Sequence, residues 1–278
     1  MIVVKGAGDL ASGVAYRLFR AGFRPVMTEV PAPTVVRRSV AFAQAVFDGT
    51  AVVEGVRSRL VDDGRGALAA VIRGEIPVIV DPDARRARAL APDVLIDAVV
   101  AKRNTGTRRG DAQVLIALGP GFRAPADVDA VIETNRGHRL GRVILDGEAE
   151  PDTGVPAPVG GYGAERVLRA PVDGVFTGLA AIGDPVRRGE VVGTVAGEPV
   201  CSAFDGCLRG LIHDGVRVHA GMKVGDVDPR ATREHCFTIS DKALAIGGGV
   251  LEAVLYLLPA GGVTAGSRRP RPLVVPVR

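Results

Sequence analysis

The chain reads as an α/β protein in which a mostly parallel, helix-flanked sheet is followed by a second, all-β unit. Three observations predict this. Short apolar runs alternate with helix-period segments through the first half. A glycine-rich turn follows the first of those runs. Beyond about residue 165 the sequence repeats itself at a constant offset of 32 residues. The 278 residues, 47% of them hydrophobic, are enough for a sizeable core and for two units.

The first element is the apolar run Ile2-Val3-Val4, a short buried strand. After the turn, Leu10, Val14 and Leu18 recur at helical spacing, and Gly22 closes that helix as a C-cap. Between strand and helix, Gly6, Gly8 and Ala11 fill the pattern G-x-G-x-x-G/A. The first glycine permits the tight turn, and the second lets backbone N–H groups approach an anion. The small third residue lets helix pack on strand. This is a Rossmann-like opening. A second strand, Pro25 to Thr28, ends at Glu29, where a ribose-binding carboxylate is expected. Asp9 stands at the mouth of the helix. It can cap the helix, and it competes with a phosphate for the same N–H groups. The turn is therefore either a nucleotide or dinucleotide site or a place where glycines serve packing alone.

A helix is expected from Thr34 to Phe47, with Arg37 and Arg38 in its first turn. Arginines there oppose the helix dipole, which suits an anionic partner. Ala51-Val52-Val53 is a strand, Arg65 to Arg73 a helix, and Pro77 to Asp81 a strand ending in an acid. Asp83 to Leu90 is a short arginine-rich helix. Val94 to Val100 and Ala112 to Leu118 are buried strands, and Val131 to Ile144 closes the Rossmann-like unit, residues 1–148. The late strands have little helix between them, so the sheet should finish in antiparallel or mixed pairs. Residues 149–165 are rich in Gly and Pro and read as a linker or functional loop.

Residues 166–229 hold the repeat. Asp173 falls on Asp205, Gly174 on Gly206, Gly178 on Gly210 and Leu179 on Leu211, with five further identities through Val195 on Val227. Two such units of short strands and glycine turns resemble the barrel-sandwich hybrid of lipoyl and biotinyl carriers. A carrier needs a lysine at the junction of the repeats, and Ala196 to Cys201 contains none. Met222-Lys223 lies inside the second repeat. Residues 230–260 carry a final helix, capped by Ser240 and stopped by Pro259, which is expected to return to the first unit. Glycines 247–249 inside it cost about 1 kcal/mol each relative to alanine, so a backbone or a ligand must come close. Residues 261–278 read as a flexible tail.

The formal net charge of +4, the absence of tryptophan and the lack of a basic patch interleaved with aromatics argue against nucleic-acid binding. Three cysteines without a C-x-x-C pair, and a chain that enters a strand at once, suggest a reducing cytoplasm. The run Ala243 to Leu258 is short for a membrane span and carries Glu252. Hydrolase, Walker and zinc motifs are lacking, and no metal site is expected. The densest polar cluster joins Lys102, Arg103 and Asn104 to Asn135, Arg136 and His138. Both pieces follow or end apolar strands and can meet at one sheet edge, suiting a phosphate or carboxylate ligand. Lys102 and His138 are the candidates for proton transfer.

The segments KGAGDLASGVAYRL, AKRNTGT, ALGPGF, VIETNRGHRLGRVI, LRAPVDGVF, DGCLRGLI, KVGDVDPR and TISDKALAIGGGVLEAVL together resemble the bacterial selenium-dependent molybdenum hydroxylase system proteins, the YqeB family. The resemblance runs from Val4 to about Leu255. It implies an accessory factor that matures a molybdenum hydroxylase client such as a xanthine dehydrogenase. The Rossmann-like half is also similar to the XdhC group, which handles molybdenum cofactor before insertion. No catalytic residues come with the resemblance. The expected ligand is thus a nucleotide or dinucleotide, such as molybdopterin dinucleotide or NAD. Gly6, Gly8 and the N–H groups around Asp9 would face phosphates, and Glu29 a ribose. Lys102, Arg103, Asn104, Asn135 and Arg136 would hold other anionic parts. The repeat unit would dock the client or cover the site. An NAD(P)-dependent oxidoreductase and a non-catalytic scaffold are the rival readings, and homo-oligomerisation stays open.

Overall fold

The computed structural model describes residues 1–152, 154 and 158–258. The expected stop at Pro259 and the expected tail lie outside the described residues. In chain order the first unit comprises β1 (Ile2–Lys5), α1 (Asp9–Arg20), β2 (Pro25–Glu29), the one-turn α2 (Ala45–Asp48), β3 (Thr50–Val53), β4 (Val56–Val61), α3 (Gly64–Ile72), β5 (Ile76–Val80), α4 (Arg85–Arg88), β6 (Val94–Asp97), β7 (Val114–Leu118), β8 (Arg123–Ala124), β9 (Ala130–Ile132), β10 (Val143–Ile144) and β11 (Gly147–Glu148).

Nine of these strands form one mixed sheet in the order β10-β9-β7-β6-β1-β2-β5-β4-β3. The interior is parallel, and an antiparallel pair closes each edge, β10 on β9 and β3 on β4. The β3–β4 hairpin turns at Glu54 and Gly55, both at positive φ. Strand β1 is buried on both faces, as an interior parallel strand must be. Ile2 and Val4 join the core beneath α1. Val3 joins Leu95, Leu115 and Ala87 on the opposite face.

The helix expected from Thr34 to Phe47 does not form. The segment makes two 3₁₀ turns, Arg38–Val40 and Phe42–Gln44, before α2. Its N–H groups go elsewhere: Phe42 donates to Ser12 Oγ at 2.8 Å and Ala43 to the Ala7 carbonyl at 2.8 Å. Tertiary partners here outweigh helix propensity.

The second part contains β12 (Val167–Arg169), β13 (Gly174–Gly178), β14 (Pro185–Val186), β15 (Val191–Val195), β16 (Glu198–Cys201), β17 (Gly206–Leu211), β18 (Arg217–Val218) and β19 (Lys223–Asp228). They form two antiparallel sheets, β12-β19-β17-β14 and β16-β15-β13-β18. The first residues of β13, β14 and β15 lie 32 before those of β17, β18 and β19. Each short middle strand crosses over: β14 pairs with β17, and β18 with β13.

Two helices complete the described chain, α5 (Glu234–Phe237) and α6 (Asp241–Leu257). Ser240 caps α6 by accepting the Ala243 N–H at 3.2 Å. Ile246, Val250, Ala253 and Val254 of α6 share the core of α1 and the sheet. The glycines allow this close packing. A Cβ on Gly247 would lie 2.7 Å from the Gly13 carbonyl oxygen, and one on Gly249 would overlap the Gly141 carbonyl oxygen. The close neighbour is backbone. The two parts also meet where Leu211 N–H donates to the Val36 carbonyl at 2.9 Å and Phe47 stacks on His213 at 3.8 Å.

Candidate functional site: two clefts beside the glycine turn

The glycine turn separates two clefts. The first, about 430 Å³, lies at the carboxyl ends of the parallel strands, where open α/β sheets bind ligands. Gly6 has φ +102°, and a Cβ there would press on the Ala98 carbonyl oxygen at 3.2 Å. Only glycine suits that position. Gly8 has ordinary φ, −68°, and serves as the N-cap of α1. Ala11 is fully buried and lets α1 sit on the sheet.

Glu29 closes the first cleft from β2. Its two oxygens accept the N–H groups of Ala7 and Val30, each at 2.8 Å. Burial pushes the Glu29 carboxyl up, against the pull of those two bonds. The Ala7 N–H is thus already engaged by a carboxylate. Beside the cleft, the buried amine of Lys5 bonds Asp97 at 3.1 Å, Thr105 at 3.1 Å and Thr107 at 3.2 Å. Thr28, Glu29, Asp83 and Thr105 are polar lining groups, and among the described residues no lysine or arginine lines this cleft.

The second cleft, about 750 Å³, opens between the two parts of the molecule. Asp9 lies here. It does not cap α1, since Gly8 takes that place without a side-chain bond. Its carboxylate instead receives Nη1 of Arg37 at 3.0 and 3.2 Å. Arg37, Lys102, Arg136 and Lys242 line the side of the sheet and α6. Arg166, Arg169, Arg209 and Lys223 line the side of the β sheets. Against these eight cations stand three lining carboxylates among the described residues, Asp9, Asp152 and Asp226.

Asp226 serves three of the cations. Arg166 and Arg209 reach it at 3.4 and 3.5 Å, and Lys223 at 4.0 Å. Lys223 is 45% exposed yet stands against the cleft wall. Displaced water lowers its pKa, Asp226 opposes that, and Arg166 and Arg209 reinforce it. Burial likewise lowers Lys242, with Arg136 adding to the effect. Nε of Arg37 is buried without a hydrogen-bond partner among the described residues.

The residues expected to bind one ligand therefore divide. Gly6, Gly8 and Glu29 line the first cleft. Asp9, Lys102, Asn135 and Arg136 line the second. Lys102 pairs with Asp152 at 2.5 Å, and Arg136 grips Asp241 with two bonds of 2.8 and 2.9 Å. Asn135 donates to Glu150 at 2.6 Å, so the start of the Gly/Pro-rich segment is fastened at the cleft. Asn104 accepts the N–H groups of Gly106 and Thr107 and shapes its own loop. Arg103 and His138 are exposed and line neither cleft.

No family model matches the chain. YqeB of Escherichia coli (strain K12) is 49% identical to it over 261 residues, 94% of the chain. The chain belongs to the YqeB family. It spans about half of that relative, 48% of its length. Two solved structures show looser likeness. One is the ectoine utilization protein EutE (DoeB) from Ruegeria pomeroyi, 22% identical, covering 30% of this chain and 27% of that one, TM-score 0.21. The other is an aspartoacylase family protein from Mesorhizobium loti, 12% identical, covering 77% and 59%, TM-score 0.24. Scores this low carry nothing about the site.

In this YqeB-family chain, sequence reasoning missed Arg166, Arg169, Arg209, Lys223 and Lys242. A signal for two of them was present. Arg209 and Lys223 stand 32 residues after Thr177 and Val191, and Asp226 stands 32 after Thr194. Charge enters the second repeat where the first is uncharged.

Proposed function

We propose that this chain is an accessory protein that binds a phosphate-bearing, nucleotide-containing ligand and serves the maturation of a molybdenum hydroxylase. The observation that carries the ligand class is the charge of the second cleft, eight cations against three carboxylates. Uncompensated cations in a partly desolvated cleft favour a multivalent anion. The first cleft, lined by no described lysine or arginine and closed by Glu29, suits the uncharged sugar and base end of such a molecule. In this reading the dinucleotide form of molybdenum cofactor is cargo. The β sheets are read as a barrel-sandwich hybrid, supported by the exchange of β14 and β18. They act as the second wall and the docking face for the client.

The oxidoreductase alternative gains no support. Lys102 is held by Asp152, and His138 lines neither cleft.

The test is a thermal-shift series with NAD, NADP, CTP, CDP, ATP and extracted molybdenum cofactor. It uses wild type, Gly8→Val and Lys242→Glu. The reading expects stabilisation by the phosphate-rich ligands, reduced by Lys242→Glu. No shift with any ligand overturns it, and a shift with NAD alone favours the oxidoreductase.

A further inference from the structure

The second cleft is built from two walls, and its positive charge is uncompensated on both. On one wall, Arg37, Lys102 and Arg136 each hold a carboxylate of their own, while Lys242 has none within 4.0 Å among the described residues. On the other wall, Arg166, Arg209 and Lys223 share Asp226, and Arg169 pairs with no carboxylate among the described residues. Arg209 also reaches Asp228 at 3.8 Å, but Arg230 already binds that group at 2.6 Å.

Resting on the reading that this cleft takes a phosphate-bearing ligand, we infer that it selects linked phosphates, a diphosphate or longer, which span the walls from Lys223 and Arg169 to Lys242. A single phosphate group carries about −1.5 to −2 near neutral pH. That is at most half the surplus of four that remains among the described residues once Asp241, the partner of Arg136, is counted with the three lining carboxylates. The cleft volume, about 750 Å³, also lies in the range of whole small-molecule sites. Arg37 lines the first wall, and its Nε is buried without a hydrogen-bond partner among the described residues. Each linked phosphate brings further acceptor oxygens at fixed spacing, so one anion can engage both walls at once.

The test is calorimetric titration of the whole chain with inorganic phosphate, pyrophosphate and tripolyphosphate at low salt. It is repeated on Lys223→Gln and Lys242→Gln, after their melting temperatures confirm folding. Pyrophosphate should bind at least about tenfold more tightly than phosphate, a difference of about 1.4 kcal/mol. Each variant should lose most of that preference. The double variant should lose less than the sum, because one ligand touches both walls. Equal affinity for phosphate and pyrophosphate overturns the two-wall selection and leaves the proposed ligand class standing. Variants that keep the full preference also overturn it. A folded protein that binds none of the three, nor any nucleotide, removes both readings.

Discussion

One nitrogen of Arg37, Nη1, donates to both carboxylate oxygens of Asp9, at 3.0 and 3.2 Å. The other, Nη2, donates to the carbonyls of His235 and Thr238, at 3.1 and 3.0 Å. A single guanidinium thus fastens the start of α1 to the chain entering α6. It also settles what Asp9 does at the glycine turn: the carboxylate faces the second cleft and is neutralised there.

Arg37→Ala should destabilise the fold by about 3 kcal/mol in urea denaturation, because it strands a partly buried carboxylate and two carbonyls. Asp9→Asn should cost clearly less, since the amide still fills the space. Equal losses from both substitutions would contradict the fastening role.

Two of the three adjacent glycines of α6, Gly248 and Gly249, should respond in opposite ways. Gly249→Ala should cost about 1–3 kcal/mol or more, because the added Cβ would overlap the Gly141 carbonyl oxygen. A Cβ on Gly248 would meet nothing within 4 Å, so Gly248→Ala should stabilise by up to about 1 kcal/mol. Melting temperatures of the two variants should therefore move in opposite directions.

What was legible in the sequence follows from where the determining forces are local. The β1–turn–α1 unit is legible because Gly6 must take positive φ and because Leu10, Val14 and Leu18 share one helix face. The start of α6 is legible because Ser240 caps it through a bond to a residue close in sequence, Ala243. The segment from Thr34 to Phe47 is not, because its partners Ser12, Ala7 and Leu211 are remote in sequence. β4 is paired on both sides within the sheet but was hidden by its alternating arginines, Arg57 and Arg59. For the site, the turn, Glu29 and the pair Asn135–Arg136 were visible. On the opposing wall the repeat marks Arg209 and Lys223 as departures, but their place was not legible, because only tertiary folding brings them across from Arg37.

Asp228 predicts part of the acid limb of stability. Burial alone would raise its carboxyl. Bonds from the Arg230 side chain and N–H, with Arg209, outweigh burial and hold it at about 2, below its ordinary 3.8. The folded state therefore binds this proton less readily than the unfolded chain. The resulting stabilisation is fully present above about pH 3.8 and is lost as pH falls toward 2. It amounts to about 2 kcal/mol. Asp228→Asn should flatten the stability profile over that interval, and an unchanged slope would contradict this.

The cysteines should divide by reactivity. Cys201 is exposed, whereas Cys207 and Cys236 are buried with their sulfurs 3.4 Å apart. Burial, then the neighbouring thiol, pushes Cys236 up to about 12. An aromatic disulfide reagent should release one equivalent quickly from the native protein and three in denaturant. Two fast equivalents would contradict the burial of the pair.

The central claim is that the cleft between the two parts binds a phosphate-bearing nucleotide through its surplus of cations. Equilibrium titration of CDP at low and at high salt, on wild type and on a Lys223→Gln/Lys242→Gln protein, tests it most directly. Measurable binding is expected at low salt, with a loss of about tenfold or more on raising the salt and a comparable loss in the variant. Binding that ignores both salt and the two lysines, or no binding by the folded wild-type protein, would contradict it.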